Sequence, residues 1–257
     1  MAHEFDGKKY AAASAHQKEW GAKLIQELSI SGTERILDLG CGDGALTSQL
    51  AALTQGTVIG IDASHGMIEA AKSHQADNLS FEVYDINSLD FESEFDVVFS
   101  NAALHWIKSH KALLGNVFRA LKSGGILKFN FAGDGNCANF FSVVKEAIKL
   151  PQFVYSFSDF EWPWYMPTVG EYALLMRGIP FTESRVWSEN ADRYFADAET
   201  MIKWIDQPSL VPFMKLVSDE RKEDFRQFVI ERMIQKTRHA DGRCFETFRR
   251  INVVARK

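Results

Sequence analysis

The stretch "ERILDLGCGDGALTSQL", residues 34–50, decides the fold. Its first half is a short apolar strand, which runs without a linker into Gly40, Gly42 and Gly44. Glycine accepts positive φ angles and lets a backbone approach a ligand closely. The residues that follow, "ALTSQLAAL", predict a helix. We therefore expect a strand, a glycine loop and a helix in direct succession.

The same alternation continues on the carboxyl side of this unit. Further apolar strands are predicted at "VIGID", "LSFEVYDI", "FDVVFSN" and "ILKFNFAG", and helices at "ASHGMIEAAKSH" and "HKALLGNVFRAL" separate some of them. Strands that alternate with helices imply βαβ units on a parallel sheet. Their nearly continuous apolar character indicates that both faces of the sheet are covered. The sequence thus predicts an α/β fold with a doubly wound, mostly parallel sheet.

The alternation breaks after about residue 136. An aromatic-dense segment, residues 153–167, is followed by a predicted long strand at 184–195, two helices and a final strand, "RINVVARK". We expect one domain in three parts: a cofactor-binding core at 1–135, a helical cap on the substrate side at 136–182, and elements at 183–257 that complete the sheet. The aromatic segment either lines an apolar pocket or packs its own rings on the sheet.

Composition limits the classes of partner. The 257 residues carry a formal net charge of −5, which argues against nucleic acid or an anionic membrane as the main partner. No apolar run approaches the ~18–20 residues of a membrane span, and the first residues lack a signal-peptide core. The three cysteines lie far apart, without metal-ligand spacing. We expect a cytoplasmic monomer with reduced thiols and no metal.

An acidic residue accompanies the glycine loop. Asp62 ends the second strand, roughly 20 residues further on, where a carboxylate can accept hydrogen bonds from ribose hydroxyls. Gly40, Gly42 and Ala45 also satisfy the dinucleotide fingerprint, so an NAD-dependent oxidoreductase is an alternative. Asp38 weighs against it, because a carboxylate there would repel a pyrophosphate and suits a cationic amino-acid group. The chain also lacks the Tyr-x-x-x-Lys pair of short-chain dehydrogenases.

Four motifs resemble, in order and spacing, those of class I S-adenosylmethionine-dependent methyltransferases: "ILDLGCGDG", "VIGIDAS", "YDINSL" and "FDVVFSNAALHWI". The resemblance implies a seven-stranded sheet with an antiparallel last strand and S-adenosylmethionine as cofactor. It also implies a cofactor-binding set: Asp38 and Gly40 near the methionine part, Asp62 on the ribose, Asp85 and the Ile86 backbone at the adenine amino group, Asn101 beside the sulfonium, and Gly42, Gly44, Ala63 and Met67.

The acceptor is less specified. "YAAASAHQKEWGAKLI", "NAALHWI" and "AETMIKWID" are similar to a carboxylate-methylating group that includes trans-aconitate, malonyl-carrier-protein and juvenile hormone acid methyltransferases. The last of these holds the carboxylate with a Gln amide and a Trp indole, and Gln17 and Trp106 match those positions. A carboxylate is already ionised at pH 7, so the reaction needs positioning by neutral donors and no general base. The expected acceptor is a small-molecule or carrier-bound carboxylic acid.

Other interpretations stay open at this stage. His105 either acts as the base for a hydroxyl or phenol acceptor, or lines the cofactor side of the cleft. A non-catalytic protein that only binds the cofactor is a further alternative. A tricarboxylate acceptor would need cations that face the cleft; the sequence offers Arg177, Arg185 and Arg193 without showing where they point.

Overall fold

The computed structural model describes residues 15–257, apart from the side chains of residues 15, 16, 207 and 208. The first elements are α1 (Ala15–Gln26), β1 (Ile36–Leu39), α2 (Ala45–Ala51), β2 (Val58–Asp62), α3 (His65–Ala71), β3 (Leu79–Val83), β4 (Phe95–Asn101), α4 (His110–Ala120) and β5 (Leu121–Ala132). The remaining elements are α5 (Ala138–Ala147), α6 (Val169–Arg177), β6 (Glu183–Asn190), β7 (Arg193–Phe195), α7 (Ala198–Trp204), α8 (Val211–Met214), α9 (Asp219–Thr237), β8 (Cys244–Glu246) and β9 (Arg249–Arg256).

Seven strands form one sheet in the order β3-β2-β1-β4-β5-β9-β6. β1 pairs in parallel with β2 and β4, β2 with β3, and β4 with β5, whereas β9 runs antiparallel to β5. The predicted doubly wound, mostly parallel seven-stranded sheet is therefore confirmed. The strand order reverses between β1 and β4, and ligands of open α/β sheets bind at the carboxyl ends of the strands at such a point.

The core of this sheet lies on both of its faces. β1 is buried along its whole length, and its side chains alternate between the faces. Ile36 packs in one cluster with Leu24 and Ile25 of α1, while Leu37 and Leu39 pack in the other with residues of β4, α4 and β5. Burial of both faces explains the continuous apolar character of the parallel strands.

The chain divides into two compact units. Of the described residues, the first unit contains 15–134, Trp164–Glu189 and Arg250–Lys257; the second contains Gly135–Pro163 and Asn190–Arg249. These boundaries differ from the expected segments 136–182 and 183–257. Residues 169–177 belong with the sheet because Tyr172 and Met176 of α6 are buried in its core. Beyond residue 183, only β6 and β9 join the seven-stranded sheet.

The second unit has its own aromatic core. Phe153 and Phe157 of the aromatic-dense segment lie 5.1 and 5.4 Å, between ring centroids, from Phe225 of α9. Phe160 and Trp162 pack in the same way on Phe213 of α8, at 5.2 and 5.8 Å. Phe153 and Phe157 are buried, and Phe160 and Trp162 are half-buried against Phe213, which favours packing over the apolar pocket.

The strand expected at residues 184–195 is two strands in two sheets. β6 is part of the seven-stranded sheet, whereas β7 pairs with β8 in a two-stranded antiparallel sheet. The chain leaves the first pairing at Ala191, whose N–H donates to the carbonyl of Phe248 at 2.7 Å. Among residues 15–257, no helix is long and apolar enough to cross a bilayer.

Candidate functional site

The glycine loop between β1 and α2 has the backbone that its sequence predicts. Gly40, Gly42 and Gly44 have φ angles of +72°, +56° and +79°. A Cβ at Gly40 would lie 2.2 Å from the Cβ of Ala103, so the loop packs tightly against the segment after β4. A Cβ at Gly42 would meet no atom within 4 Å. The loop thus presents bare backbone toward open space at the carboxyl edge of the sheet.

Asp62 holds two segments together at the end of β2. Its Oδ2 accepts the N–H of Gly42 at 3.1 Å, and its Oδ1 accepts the N–H of Ser64 at 2.9 Å. Ser64 in turn accepts the N–H of Met67 at 3.3 Å and so begins α3. Ala63 lies between the two acceptors. The predicted contact of Asp62 with a ribose stays a prediction, although its carboxylate is at the predicted edge.

Asp38 is a buried carboxyl group at the end of β1. Burial, together with the negative charge of Asp62, raises the pKa of Asp38 to about 7, although a 2.7 Å hydrogen bond from the Thr47 hydroxyl opposes the shift. A positive ligand group near Asp38 would favour its ionised form. The predicted contact of Asp38 with a cationic group stays a prediction. Sequence reasoning missed Thr47, although it is a polar residue within an apolar helix pattern.

Asp85 and Ile86 follow β3. Asp85 is exposed, and its Oδ1 accepts the backbone N–H of Asn87 at 2.9 Å and the side-chain Nδ2 at 2.8 Å. It thereby begins a short 3₁₀ helix, Ile86–Ser88, in which Ile86 is buried. This local role explains the presence of Asp85 by itself, so its predicted contact with adenine stays a prediction.

The segment after β4 departs from ordinary backbone geometry. Ala102 has a φ angle of +57°, a conformation that L-residues other than glycine, asparagine and aspartate rarely adopt. Its N–H donates to the carbonyl of Asn130 at 2.7 Å. Asn101, directly before it, donates its Nδ2 to the carbonyl of Gln17 at 2.9 Å. The structure therefore brings Asn101 and Gln17, 84 residues apart in sequence, into contact.

His105 and Trp106 lie on the next turn, the 3₁₀ helix Leu104–Trp106. Burial lowers the pKa of His105 to about 3, and electrostatic interactions with Arg250 and with His110 add to the shift. The Trp106 ring lies 5.6 Å from that of His105 and 5.2 Å from that of Trp164, between centroids. His105 is thus a neutral side chain within an aromatic wall at neutral pH.

An ion pair and two hydrogen bonds, none of which sequence reasoning found, hold the segments around His105 and the glycine loop in place. The Lys18 ammonium forms a 2.6 Å ion pair with Asp43, which joins α1 to the glycine loop. His110 donates from Nε2 to the carbonyl of Leu104 at 2.9 Å, so its Nδ1 accepts from the Tyr172 hydroxyl at 3.0 Å. These two hydrogen bonds of His110 fix the turn that carries His105. No sequence motif marked these pairs.

Three polar atoms at the site are enclosed without a hydrogen-bond partner: Gln17 Oε1, Asn101 Oδ1 and His105 Nδ1. Buried polar atoms of folded proteins are nearly always hydrogen-bonded, so their concentration at the end of β4 points to a polar ligand. The residues present fit a ligand with an ammonium, a diol and a sulfonium centre, since Asp38 and Asp62 lie near the carboxyl ends of β1 and β2 and the glycine loop offers open backbone.

The arginines expected for a tricarboxylate are dispersed. Arg177 and Arg185 are exposed on α6 and β6, and the Arg185 guanidinium lies 4.8 Å from the Trp187 ring centroid. Arg193 belongs to the second unit. Among residues 15–257, no group of three or more His, Cys, Asp or Glu side chains is placed to hold a metal ion.

Comparison with known proteins gives consistent matches. A family described as a methyltransferase domain matches residues 30–153. The chain is 32% identical over 184 residues to a trans-aconitate 2-methyltransferase of Deinococcus radiodurans, which covers 70% of each protein. It is 28% identical over 273 residues to a trans-aconitate 2-methyltransferase of Mycobacterium tuberculosis strain H37Ra, which covers 98% of this chain and 96% of the relative.

The fold has solved counterparts. The YcgJ protein of Bacillus subtilis superposes with a TM-score of 0.64 at 18% identity, covering 93% of this chain and 98% of that one. At this identity the likeness concerns the fold alone. The residues matched by the family include the glycine loop, Asp62, Asp85 and the segment from Asn101 to Trp106.

Proposed function

The chain belongs to the class I S-adenosylmethionine-dependent methyltransferases, and from this premise we propose that it methylates a carboxylate oxygen of a small acid. The enzyme uses S-adenosylmethionine, as its family does, and the earlier alternative of NAD-dependent redox chemistry is set aside. When bound, this cofactor supplies an electrophilic methyl group on its sulfonium. The remaining question is which nucleophile the protein presents to that methyl group.

We assign the cofactor to the carboxyl edge of β1, β2 and β3. In this proposal Asp38 faces the ammonium group, Asp62 the ribose hydroxyls, and Asp85 with the Ile86 backbone the adenine amino group. The open backbone at Gly42 and the unpaired Oδ1 of Asn101 support this assignment. Carboxylates matched to a cation and to hydroxyl groups make the arrangement chemically coherent.

The observation that carries the carboxylate proposal is the enclosure of His105, whose Nδ1 is buried and has no hydrogen-bond partner that would orient the imidazole as a base. With a pKa of about 3, its imidazole is neutral at pH 7 and too weakly basic to take a proton from a hydroxyl acceptor. A carboxylate needs no such base, because it is ionised already at this pH. The side chains that we assign to the reacting carboxylate, Gln17 and Trp106, are themselves neutral, and so is Asn101 beside Gln17.

Gln17 and Trp106 are the proposed acceptor ligands. The Gln17 amide is held at the site, because the backbone carbonyl of this residue accepts from Asn101 and its Oε1 is enclosed. A half-turn of this amide presents Nε2 in place of Oε1. An amide N–H and an indole N–H orient a carboxylate without the full charge of a Lys or Arg, so the attacking oxygen keeps its nucleophilicity. Positioning then supplies most of the rate.

The class of acid follows from the relatives. Two similar proteins bear the name trans-aconitate 2-methyltransferase, so a small free or carrier-bound carboxylic acid is the proposed substrate. A cytoplasmic monomer is part of the same proposal.

Matched acceptors and variants test the proposal. The protein receives labelled S-adenosylmethionine with trans-aconitate and other acids, and with the alcohols of the same carbon skeletons. We expect label transfer to acids only. Gln17→Ala and Trp106→Phe should lower kcat at least about tenfold, whereas His105→Asn should change it less than about threefold. Transfer to the alcohols, or loss of activity in the His105 variant alone, contradicts the proposal.

A further inference from the structure

One face of α1 packs on the candidate site. Gln17, Lys18 and Gly21 lie within little more than one turn, and helix residues three and four apart are neighbours on the same face. Each of these three residues contacts a different part of the first unit. The face that they form therefore decides where α1 places Gln17, one of the two proposed acceptor ligands.

Lys18 contacts the glycine loop. Its ammonium lies 2.6 Å from Oδ2 of Asp43, and 34% of the Lys18 side chain and 15% of the Asp43 side chain are exposed. Oδ1 of the same carboxylate accepts the N–H of Ala45 at 3.3 Å, at the start of α2. Because the backbone holds this carboxylate, the ion pair joins α1 to a fixed point beside the cofactor loop.

Gly21 brings α1 close to α2 and to the end of β4. A Cβ at this position would lie 2.1 Å from Cδ1 of Leu46 and 3.0 Å from Nδ2 of Asn101. The same Nδ2 donates to the backbone carbonyl of Gln17 at 2.9 Å. Glycine destabilises a helix interior relative to alanine, so its presence here is explained by the close approach that it permits.

These contacts fix both the depth and the rotation of α1. They reach the glycine loop, α2 and the end of β4, which are three separate supports. A misplacement of about 1 Å at a group that orients a reacting atom can cost about a hundredfold in rate. A partly exposed ion pair, by contrast, contributes little to the stability of the whole fold. Loss of Lys18 should therefore affect the placement of Gln17 more than it affects folding.

We propose that Lys18 is a positioning residue for methyl transfer: its ion pair with Asp43, together with the close contact at Gly21, holds the Gln17 amide in place for the acceptor. This inference rests on the proposed function, which makes Gln17 an acceptor ligand. Lys18 acts through Gln17 and does not itself bind the acceptor.

A double-mutant cycle tests whether Lys18 acts through Gln17. We expect Lys18→Met to lower kcat at least about tenfold, whereas Lys18→Arg, which keeps the cation, should stay within about threefold of the wild type. In the Gln17→Ala background, Lys18→Met should lower kcat less than about twofold further, because the group that it positions is gone. The Kd for S-adenosylhomocysteine should change less than about threefold in each variant.

Lys23→Met is the matched control for Lys18→Met. Lys23 lies on the same helix, but its ion pair with Glu19 joins two exposed residues of α1 to each other and to no other segment through that contact. This variant should change kcat less than about twofold.

Gly21→Ala and Gly115→Ala form a second matched pair. Both add a methyl group inside a helix, but a Cβ at Gly115 of α4 would meet no atom within 4 Å. We expect Gly21→Ala to lower kcat at least about threefold, since the methyl group presses on Leu46 and on the Asn101 amide. Gly115→Ala should leave kcat unchanged.

Hydrogen exchange of α1 is a readout that needs no acceptor. On the protein saturated with S-adenosylhomocysteine, the backbone amides of residues 17–26 should exchange at least about threefold faster in Lys18→Met than in the wild type, while those of α4 exchange as before. Unchanged exchange of α1, unchanged kcat in Lys18→Met, an undiminished loss in the Gln17→Ala background, or a Lys18→Arg variant as slow as Lys18→Met overturns the inference.

The two proposals fail separately. The kinetic assays use the acid or the alcohol that the wild type methylates. Transfer to an alcohol alone ends the carboxylate proposal, whereas the kcat ratios on that alcohol still test Lys18. If acids are methylated but the Lys18 variants behave as the wild type, only the role of Lys18 falls. If neither class accepts the label, the carboxylate proposal falls, and unchanged exchange of α1 would end the inference as well.

Discussion

Burial shifts the charge states of Asp38 and His105 in opposite directions. It raises the pKa of Asp38 to about 7 and lowers the pKa of His105 to about 3. Burial therefore disfavours the carboxylate form of Asp38 and the imidazolium form of His105 unless an opposite charge lies nearby. A ligand cation can restore the charge of Asp38, whereas His105 has a further cation nearby that keeps it neutral. At the scale of single residues, the site is suited to a cationic donor and to an acceptor that needs no base.

Asp38 makes cofactor affinity depend on pH. The ionised form attracts the ammonium group, so below pH 7 binding must first remove a proton from Asp38. We expect the Kd for S-adenosylhomocysteine to be constant from about pH 7.5 to 8.5. It should rise as pH falls below 7, approaching tenfold per pH unit. Calorimetry between pH 5.5 and 8.5 measures this dependence.

Asp38→Asn is the control for that titration. The amide can still accept from the Thr47 hydroxyl, but it cannot ionise, so its Kd should be weaker above pH 7 and nearly independent of pH. If the Kd of this variant rises below pH 7 as it does in the wild type, a group other than Asp38 causes the pH dependence.

At the scale of elements, the site depends on how the turn after β4 is held. Ala102 takes a left-handed conformation there, which costs about 1 kcal/mol or more and persists only where surrounding contacts enforce it. Those contacts include the 2.7 Å hydrogen bond to Asn130 and the chain from Tyr172 through His110 to Leu104. α6 therefore helps to position His105 and Trp106, although its Tyr172 lies 62 residues after His110 in the sequence.

Tyr172→Phe tests this coupling. It removes the donor to His110 Nδ1 and leaves a buried acceptor unsatisfied, so we expect unfolding free energy to fall by about 1–3 kcal/mol. Because the turn carries Trp106, one of the two proposed acceptor ligands, kcat should fall several-fold while the affinity for S-adenosylhomocysteine changes little. Thermal denaturation, steady-state kinetics and calorimetry measure the three quantities.

Tyr155→Phe is the matched control, since Tyr155 is 89% exposed and lies in the second unit. It should leave stability and kcat unchanged. If Tyr172→Phe lowers stability but not kcat, the hydrogen bonds through His110 only stabilise the fold and do not position Trp106.

At the scale of the whole molecule, local patterns predicted the sheet but not the division of the chain. Continuous apolar strands and the glycine loop indicated the parallel core because both signals lie within a few residues. Such local patterns do not show which segments that are distant in the sequence pack against each other. The strand expected at 184–195 is therefore two strands in two sheets, and residues 190–249 join 135–163 in the second unit.

The candidate site shows the same limit. The positions of Asp62 and Asn101 were predictable because each is the last residue of a strand, and parallel strands bring their carboxyl ends to one edge. Asp38 is the last residue but one of β1 and lies at the same edge. Arg250 was not predictable, since its place follows from the antiparallel register of β9 with β5. In the sequence it is one of two adjacent arginines before an apolar strand, and the pattern does not tell which of them is buried.

The most direct test of the account is the chemical nature of the transferred methyl group. The full-length protein is incubated with methyl-labelled S-adenosylmethionine and an accepted acid, and the product is treated briefly with alkali. A methyl ester hydrolyses under these conditions, so the account predicts that the transferred label is released as volatile methanol. Label that stays in the non-volatile product after alkali indicates an ether, amine or carbon-linked methyl group and contradicts carboxylate methylation.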